Sequence, residues 1–423
     1  MAEQTAWQSS PSFSDRLAAI VKITSSYKIA HPETAHADAS REAQALEQLQ
    51  LNGASSLGDY EKRCDAIAQD LLPKSSPEDG SDDAIEVWEP PPMNAIDIGK
   101  YKQAVYYRSG LFSEVYKAPR PGTEHAPCKR KHRSLVALKV TVPDVMTAPH
   151  DSQREARFLR RANSEEHRII TLLETFSLAG GRYILVFEFM PYGLDGMIDG
   201  KALNTTQAKS CLRDLFTAIA YLHSIGIIHR DIKPSNVLLR SPSGPAFLSD
   251  FGIAWSADDP ASEPASEKIT DVGTTHYRPP ELLFGNKSYT QSLDLWAAGC
   301  VVAEVVGLQG ATLFDSGELG SELALIQSIF KSLGTPDLTV WPEAEKFPDW
   351  GKMQFYEYPA KPWTELLPHA NEEARDLVSG LVNYESGWRL TAAEALKHPY
   401  FKDVEVSSSA DCDMVGAVYS PDG

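Results

Sequence analysis

At 423 residues, 42% hydrophobic and 23% charged, the chain can bury a large core and hold more than one domain. A formal net charge of −18 argues against sequence-independent binding to nucleic acid or to an anionic membrane surface, since both require basic patches. An acidic balance of this kind keeps a chain soluble or meets a protein partner with basic segments, and both readings stand. No apolar run of about eighteen residues is present and the start lacks a signal-like core, so neither membrane spanning nor secretion is expected. The cysteines Cys64, Cys128, Cys211, Cys300 and Cys412 are scattered, without metal-ligand spacing or disulfide density, and read as reduced intracellular thiols.

Residues 1–97 are rich in Ala, Ser, Glu and Asp and finish in Ser-Ser-Pro-Glu-Asp-Gly-Ser-Asp-Asp and the run Pro90-Pro91-Pro92. They read as a partly disordered extension with short helical patterns around Phe13–Ile23 and Ser40–Leu51. From Tyr101 the pattern turns β-like: 101–107, 114–117, 136–142 and 183–189 are rich in β-branched and aromatic residues. A helix over 151–161 interrupts them. The insert Lys129-Arg130-Lys131-His132-Arg133 is either a nuclear localisation signal or a solvated basic loop. Beyond Gly193 helices dominate. Asn204 and Gln207 have capping-box spacing, and Ala208, Cys211, Leu215, Ile219 and Leu222 recur at helical period. The tail after Phe401 is short and Ser-rich and is expected to fray. These boundaries predict an extension (1–97), a catalytic domain (98–401) and a tail (402–423), with no internal repeat.

Two motifs carry the chemistry. His229-Arg230-Asp231-Ile232-Lys233-Pro234-Ser235-Asn236 is followed at matched spacing by Asp250-Phe251-Gly252. Phosphoryl transfer to a hydroxyl needs a carboxylate to orient it and accept its proton, together with oxygen ligands for magnesium. Asp231 fits the first task, and Asn236 and Asp250 fit the second. Lys233 is suited to steady the transferred group. A polar surface turn is the bland alternative, but two motifs at matched spacing are far more specific than one.

The nucleotide side is mixed. Val136-Ala137-Leu138-Lys139 matches a strand whose Lys contacts the α- and β-phosphates, and Glu155 on the following helix is its natural partner. A lone Lys on a strand is more often an edge residue. The two motifs above reverse that balance. Before it, Arg108-Ser109-Gly110-Leu111-Phe112-Ser113-Glu114-Val115 keeps only the central glycine of a G-x-G-x-x-G-x-V loop. A stiffer cover and weaker ATP affinity are expected.

Residues 101–401 resemble a eukaryotic Ser/Thr protein kinase of the cyclin-dependent kinase group. The resemblance implies an α+β bilobal fold, with a β-rich lobe carrying one key helix and a larger helical lobe. It also implies a monomeric catalytic subunit using ATP and Mg2+, nuclear or cytoplasmic. Leu185-Val186-Phe187-Glu188-Phe189-Met190 is similar to the group's hinge, implying Phe187 as gatekeeper and Glu188 and Met190 as adenine partners. Gly110, Val115, Ala137, Lys139, Glu155 and Asp250 complete the implied nucleotide site. Lys331-Ser332-Leu333-Gly334-Thr335-Pro336-Asp337 resembles the group's insert, and Tyr277-Arg278-Pro279-Pro280-Glu281-Leu282-Leu283 its YRAPELL run. Glu281 should pair with Arg389, and Asp294 should brace the catalytic loop.

Departures narrow the reading further. The stretch 149–155 keeps the Pro, Arg and Glu of PSTAIRE but not its middle, which puts a standard cyclin partner in doubt and makes the extension a candidate brace. Of three arginines that grip a phosphothreonine in this family, Arg154 and Arg230 are matched, while the third place holds Trp255. Packing of Trp255, with Glu267 or Asp271 supplying charge to the two arginines, would order the segment without phosphate; Thr270 is the fallback phosphosite. These features resemble divergent fungal kinases that activate cyclin-dependent kinases. The implied substrate is a protein, with another kinase as the candidate; the alternative class is a pseudokinase or scaffold binding a partner kinase.

Overall fold

The computed structural model describes residues 13–30, 34, 36–54, 57–71, 95–121, 135–307, 310–317 and 320–402. Cys128, Cys412 and the basic run 129–133 lie outside them. The chain divides into two units, residues 1–146 with 173–189, and 147–172 with 190–423.

In the first unit, three helices, α1 (Phe13–Ala30), α2 (His36–Gly53) and α3 (Leu57–Asp70), precede a sheet. The expected partly disordered extension thus contains a helical bundle around buried Ile23, Ala43, Leu51, Tyr60, Cys64 and Ala68. Glu47 is fully buried there. It accepts two bonds from Arg16, at 2.8 Å each, and one from the Tyr60 hydroxyl at 2.7 Å. A carboxylate this deep is tolerable only with such partners.

The sheet runs β1 (Ile96–Ile98), β2 (Tyr101–Ser109), β3 (Ser113–Pro119), β4 (Leu135–Thr141), β5 (Leu172–Leu178) and β6 (Arg182–Glu188), in the order β1-β2-β3-β4-β6-β5. Alternation gives it two faces. Ala104, Ala118, Val136, Leu138, Ile184 and Val186 form an apolar core on one of them. Cross-strand pairing aligns Val115, Lys139 and Leu185, and likewise Lys117, Ala137 and Phe187, on the other. Strand 96–98 and strand 172–178 have no counterpart in the sequence reading.

The second unit begins with α4 (Ser152–Ala162) and continues through β7 (Tyr192–Gly193), α5 (Leu194–Asp199), α6 (Thr205–Ser224), β8 (Val237–Leu239) and β9 (Ala246–Leu248). It then forms α7 (Pro280–Leu283), α8 (Ser292–Val306), α9 (Glu322–Leu333), α10 (Trp363–Leu366), α11 (Glu372–Leu381) and α12 (Ala392–Ala395). The capping box read from Asn204 and Gln207 opens α6, and Ala208, Cys211, Leu215, Ile219 and Leu222 are all buried. Antiparallel β7, β8 and β9 form a small sheet. The first turn of α8 buries Asp294 and Trp296.

Glu281 and Arg389 pair as the sequence implied. Two bonds of 2.6 and 2.7 Å join side chains that are 1% and 0% exposed. Removing one member leaves a buried charge without its partner. Arg389→Met should therefore lower unfolding free energy by about 3–5 kcal/mol in a denaturant titration. A loss under about 1 kcal/mol would show that the pair does not hold this unit together.

Candidate active site

The expected site residues are carried by both units. In the first, β3, β4 and β6 hold Val115, Ala137, Lys139, Phe187 and Glu188, with Val115 and Lys139 directly paired, as are Ala137 and Phe187. The single retained glycine makes the turn between β2 and β3: Gly110 N–H donates to Ser113 O at 2.7 Å. Leu111 at its tip is 81% exposed. A Cβ on residue 110 would meet Ser113 Oγ at 3.1 Å, so a side chain there would require the Ser113 hydroxyl to give way.

In the second unit, Met190 is buried and α4 carries Glu155, 1% exposed. The helix is capped by Asp151, whose carboxylate accepts from the N–H groups of Gln153 and Arg154 at 2.8 and 2.9 Å. Asp231, Lys233, Asn236 and Asp250 belong to this same unit. β8 pairs with β9 through Val237 and Leu248, and Ser249 donates from both N–H and Oγ to Asn236 O at 2.9 Å. That pairing brings Asn236 next to the residue preceding Asp250. Phe251 is fully buried against His229, with ring centroids 5.0 Å apart.

Asp231 sits in a ring of donors. Its Oδ1 accepts from Thr274 N–H at 3.0 Å and Thr274 Oγ1 at 2.9 Å. Its Oδ2 meets Lys233 Nζ at 2.8 Å and Asn236 Nδ2 at 3.1 Å. Lys233 Nζ also donates to Thr274 Oγ1 at 2.8 Å. Thr274 was not anticipated; its only sequence signal is a hydroxyl residue shortly before the Tyr277-Arg278 match. Gly273 places it. At φ +75°, a Cβ there would fall 2.7 Å from Arg230 O, so only glycine lets the segment approach the catalytic loop this closely.

The loop itself hangs from Asp294. This fully buried carboxylate accepts from the N–H groups of His229 and Arg230 at 2.9 Å each, and His223 Nε2 lies at 2.8 Å. Burial pushes its pKa up, but His223, together with the ring and N–H of His229, outweighs burial and holds it below the ordinary carboxylate range.

Arg230 is 1% exposed and donates to Ile253 O, to Tyr289 Oη at 3.0 Å and to Glu263 Oε1 at 3.1 Å. Glu263 Oε2 stands 3.8 Å from Arg154 Nη1. The acidic partner of the two arginines is therefore Glu263, not Glu267 or Asp271. Glu267 pairs with Lys287 and Asp271 with Arg278. The path of the chain after Trp255 decides this: Trp255 is buried, its Nε1 donates to Glu263 O at 2.9 Å, and it anchors residue 263 beside Arg230. Thr270 makes a backbone turn to Val272 and is half-buried.

Comparison with known proteins identifies the family. A family model described as "Protein kinase domain" matches residues 109–401. The serine/threonine-protein kinase csk1 of Schizosaccharomyces pombe is 38% identical over 282 residues, 66% of this chain and 87% of that one. Cyclin-dependent kinase 20 of Homo sapiens is 34% identical over 255 residues, 60% of this chain and 70% of that one, and the Danio rerio protein is similar at 34%. The chain belongs to the protein kinase family. Within it, these similarities make it a Ser/Thr kinase of the cyclin-dependent kinase group.

Two outcomes follow from the site. Asp231→Asn should leave folding and nucleotide binding intact and slow transfer by on the order of 10²-fold or more, since orientation of the hydroxyl is lost; unchanged turnover would remove Asp231 from that task. Ser113→Gly should tighten ATP binding by less than about tenfold, the gain being backbone freedom and closer approach alone. A weaker affinity by calorimetry would assign Ser113 a contact of its own.

Proposed function

We propose that this kinase moves the γ-phosphoryl group of magnesium ATP to a serine or threonine of another cyclin-dependent-type kinase. The observation that carries the chemistry is the fixed carboxylate of Asp231, ringed by Thr274, Lys233 and Asn236. Four donors engage its two oxygens, so a substrate hydroxyl needs one lone pair released. Lys233 is suited to release it. Once drawn to the incoming phosphate it leaves Asp231 Oδ2, which then orients the hydroxyl and accepts its proton.

Asn236 turns its Nδ2 toward Asp231, to the backbone carbonyl at 2.8 Å as well as the carboxylate, which leaves Oδ1 as a ligand atom. With the exposed Asp250 carboxylate it forms an oxygen donor set that suits a hard divalent cation shared with phosphates. Magnesium held there would neutralise triphosphate charge. Lys139 would orient the α- and β-phosphates, while Phe187, Glu188 and Met190 would line the adenine. Support for a kinase substrate comes from group membership and from the divergent 149–155 stretch.

Purified full-length protein should be mixed with ATP, magnesium and a catalytically inactive cyclin-dependent kinase, beside Asp231→Ala, and the products mapped by mass spectrometry. Phosphate on an activation-segment threonine of the target, abolished by Asp231→Ala and by chelation of magnesium, is the expected result. Phosphate on generic basic substrates but never on that threonine would overturn the substrate assignment.

A further inference from the structure

Helix α4 carries Arg154, Arg157 and Arg161 at spacings of three and four, which places them along one stripe. Every member engages the short stretch of chain that follows Trp255. Arg154 Nη1 donates to Ala261 O at 3.1 Å and faces Glu263. Arg157 grips the Asp259 carboxylate with two bonds of 2.7 and 2.9 Å. Arg161 reaches Ser256 Oγ at 3.2 Å and Asp258 at 3.1 Å. One turn earlier, the N–H of the capping residue Asp151 donates to Gly252 O at 3.1 Å. The helix is thus held along its length by residues 252–263.

These contacts are unequal. Asp258 is 74% exposed and screened by water, so its pair with Arg161 contributes little. Asp259 is 7% exposed, and its Oδ1 also accepts from Ala261 N–H at 3.0 Å, so the fork of Arg157 meets a carboxylate already set in place. Glu263 faces two arginines, Arg154 and Arg230. A third buried cation, Lys268, lies over the Trp255 ring at 4.5 Å and the Tyr289 ring at 5.1 Å. Arg154 Nε, Arg230 Nη2 and Glu263 Oε2 are all buried there without hydrogen-bond partners, so donors and one carboxylate oxygen remain open to an anion or to a closer approach of the arginines.

We propose that Asp259 and Glu263 are positioning residues for phosphoryl transfer: by clasping the arginine stripe they fix α4, and with it Glu155, through the protein's own chain. The inference rests on the kinase reading. Fixation comes from carboxylates that are always present, so neither a phosphate on the segment nor a second subunit is needed to hold this helix. The cage around Glu263 is the anion-binding element, filled in advance by a side chain.

The test uses full-length protein and phosphorylation of a generic basic substrate, myelin basic protein, at saturating ATP. Asp259→Asn and Glu263→Gln should each lower kcat by about tenfold or more, with the thermal midpoint within a few degrees of wild type. Millimolar sulfate should restore most of the activity of Glu263→Ala by entering the vacated cage, and phosphatase treatment of the wild type should cost less than threefold. The exchange pair Arg157→Asp with Asp259→Arg should recover activity that either change alone removes. A merely structural role would not give rescue by sulfate or by exchange. Variants within threefold of wild type, absence of both rescues, or a tenfold loss on phosphatase treatment would overturn the proposal. Wild type no more active than Asp231→Asn on both this substrate and the inactive cyclin-dependent kinase would instead defeat the kinase reading beneath it.

Discussion

The catalytic loop takes its shape from one buried carboxylate. Asp294 receives two consecutive backbone N–H groups, those of His229 and Arg230, at a bend where Arg230 adopts φ +71°. A non-glycine residue in that region costs of order 1–3 kcal/mol and persists only where its surroundings over-determine it. Asp294 does so by holding the two successive N–H groups that lead into the strained residue. The bend turns Arg230 inward, toward Glu263 and Tyr289, and the next residue, Asp231, toward Thr274. Because the pKa of Asp294 is depressed on folding, its contribution is present above the ordinary carboxylate range. It is lost only as pH falls through the depressed value. The loop is therefore electrostatically secure at neutral pH.

Charge is distributed differently around the segment that follows. Arg154, Arg230 and Lys268 are all largely buried cations, and burial pushes the pKa values of Arg154 and Lys268 down. Such a cluster repels itself unless an anion joins it. Glu263 is that anion. Burial pushes its pKa up, but Arg230 and a backbone N–H outweigh burial and hold it below the ordinary carboxylate range. Asp259 is depressed as well, chiefly by Arg157. Both carboxylates are shifted in the same direction as Asp294, so the ties from α4 to the segment and the catalytic loop favour the ionised form alike. Trp255, standing where the family places an arginine, exchanges a cation for an indole that supports Lys268 on its face and orders residue 263 through its N–H.

What was legible in the sequence was short-range. Asp231, Lys233, Asn236 and Asp250 stand in contiguous motifs, because a tight loop and a β-hairpin fix their mutual positions within a few residues. The β-branched runs marked β2, β3, β4 and β6, and the capping box marked the start of α6, since propensity and local hydrogen bonding decide both. The three-residue β1 carries too little pattern to read, and β5, at Leu172–Leu178, mixes Glu, Thr and Ser into its alternation. The extension looked polar because the bundle's core is narrow: several of its buried positions are Ala, and the buried charge of Glu47 is neutralised by a partner on another helix.

Long-range pairs were out of reach for a physical reason. Glu263, Glu267 and Asp271 are equivalent as residue types, and all lie within a few positions of the place where a phosphate would be expected. Choosing among them requires the path of the chain. That path is set by an indole hydrogen bond at one end and a glycine at positive φ at the other. Arg157 gives the same lesson. In the sequence it is one of several arginines on a helix with nothing to single it out, yet its fork closes on a carboxylate 102 positions away. Motif reading finds groups that touch substrate because the reaction dictates their chemistry. The groups that hold those in place are free to vary, provided the charges cancel where they meet, and only the folded chain shows where that is.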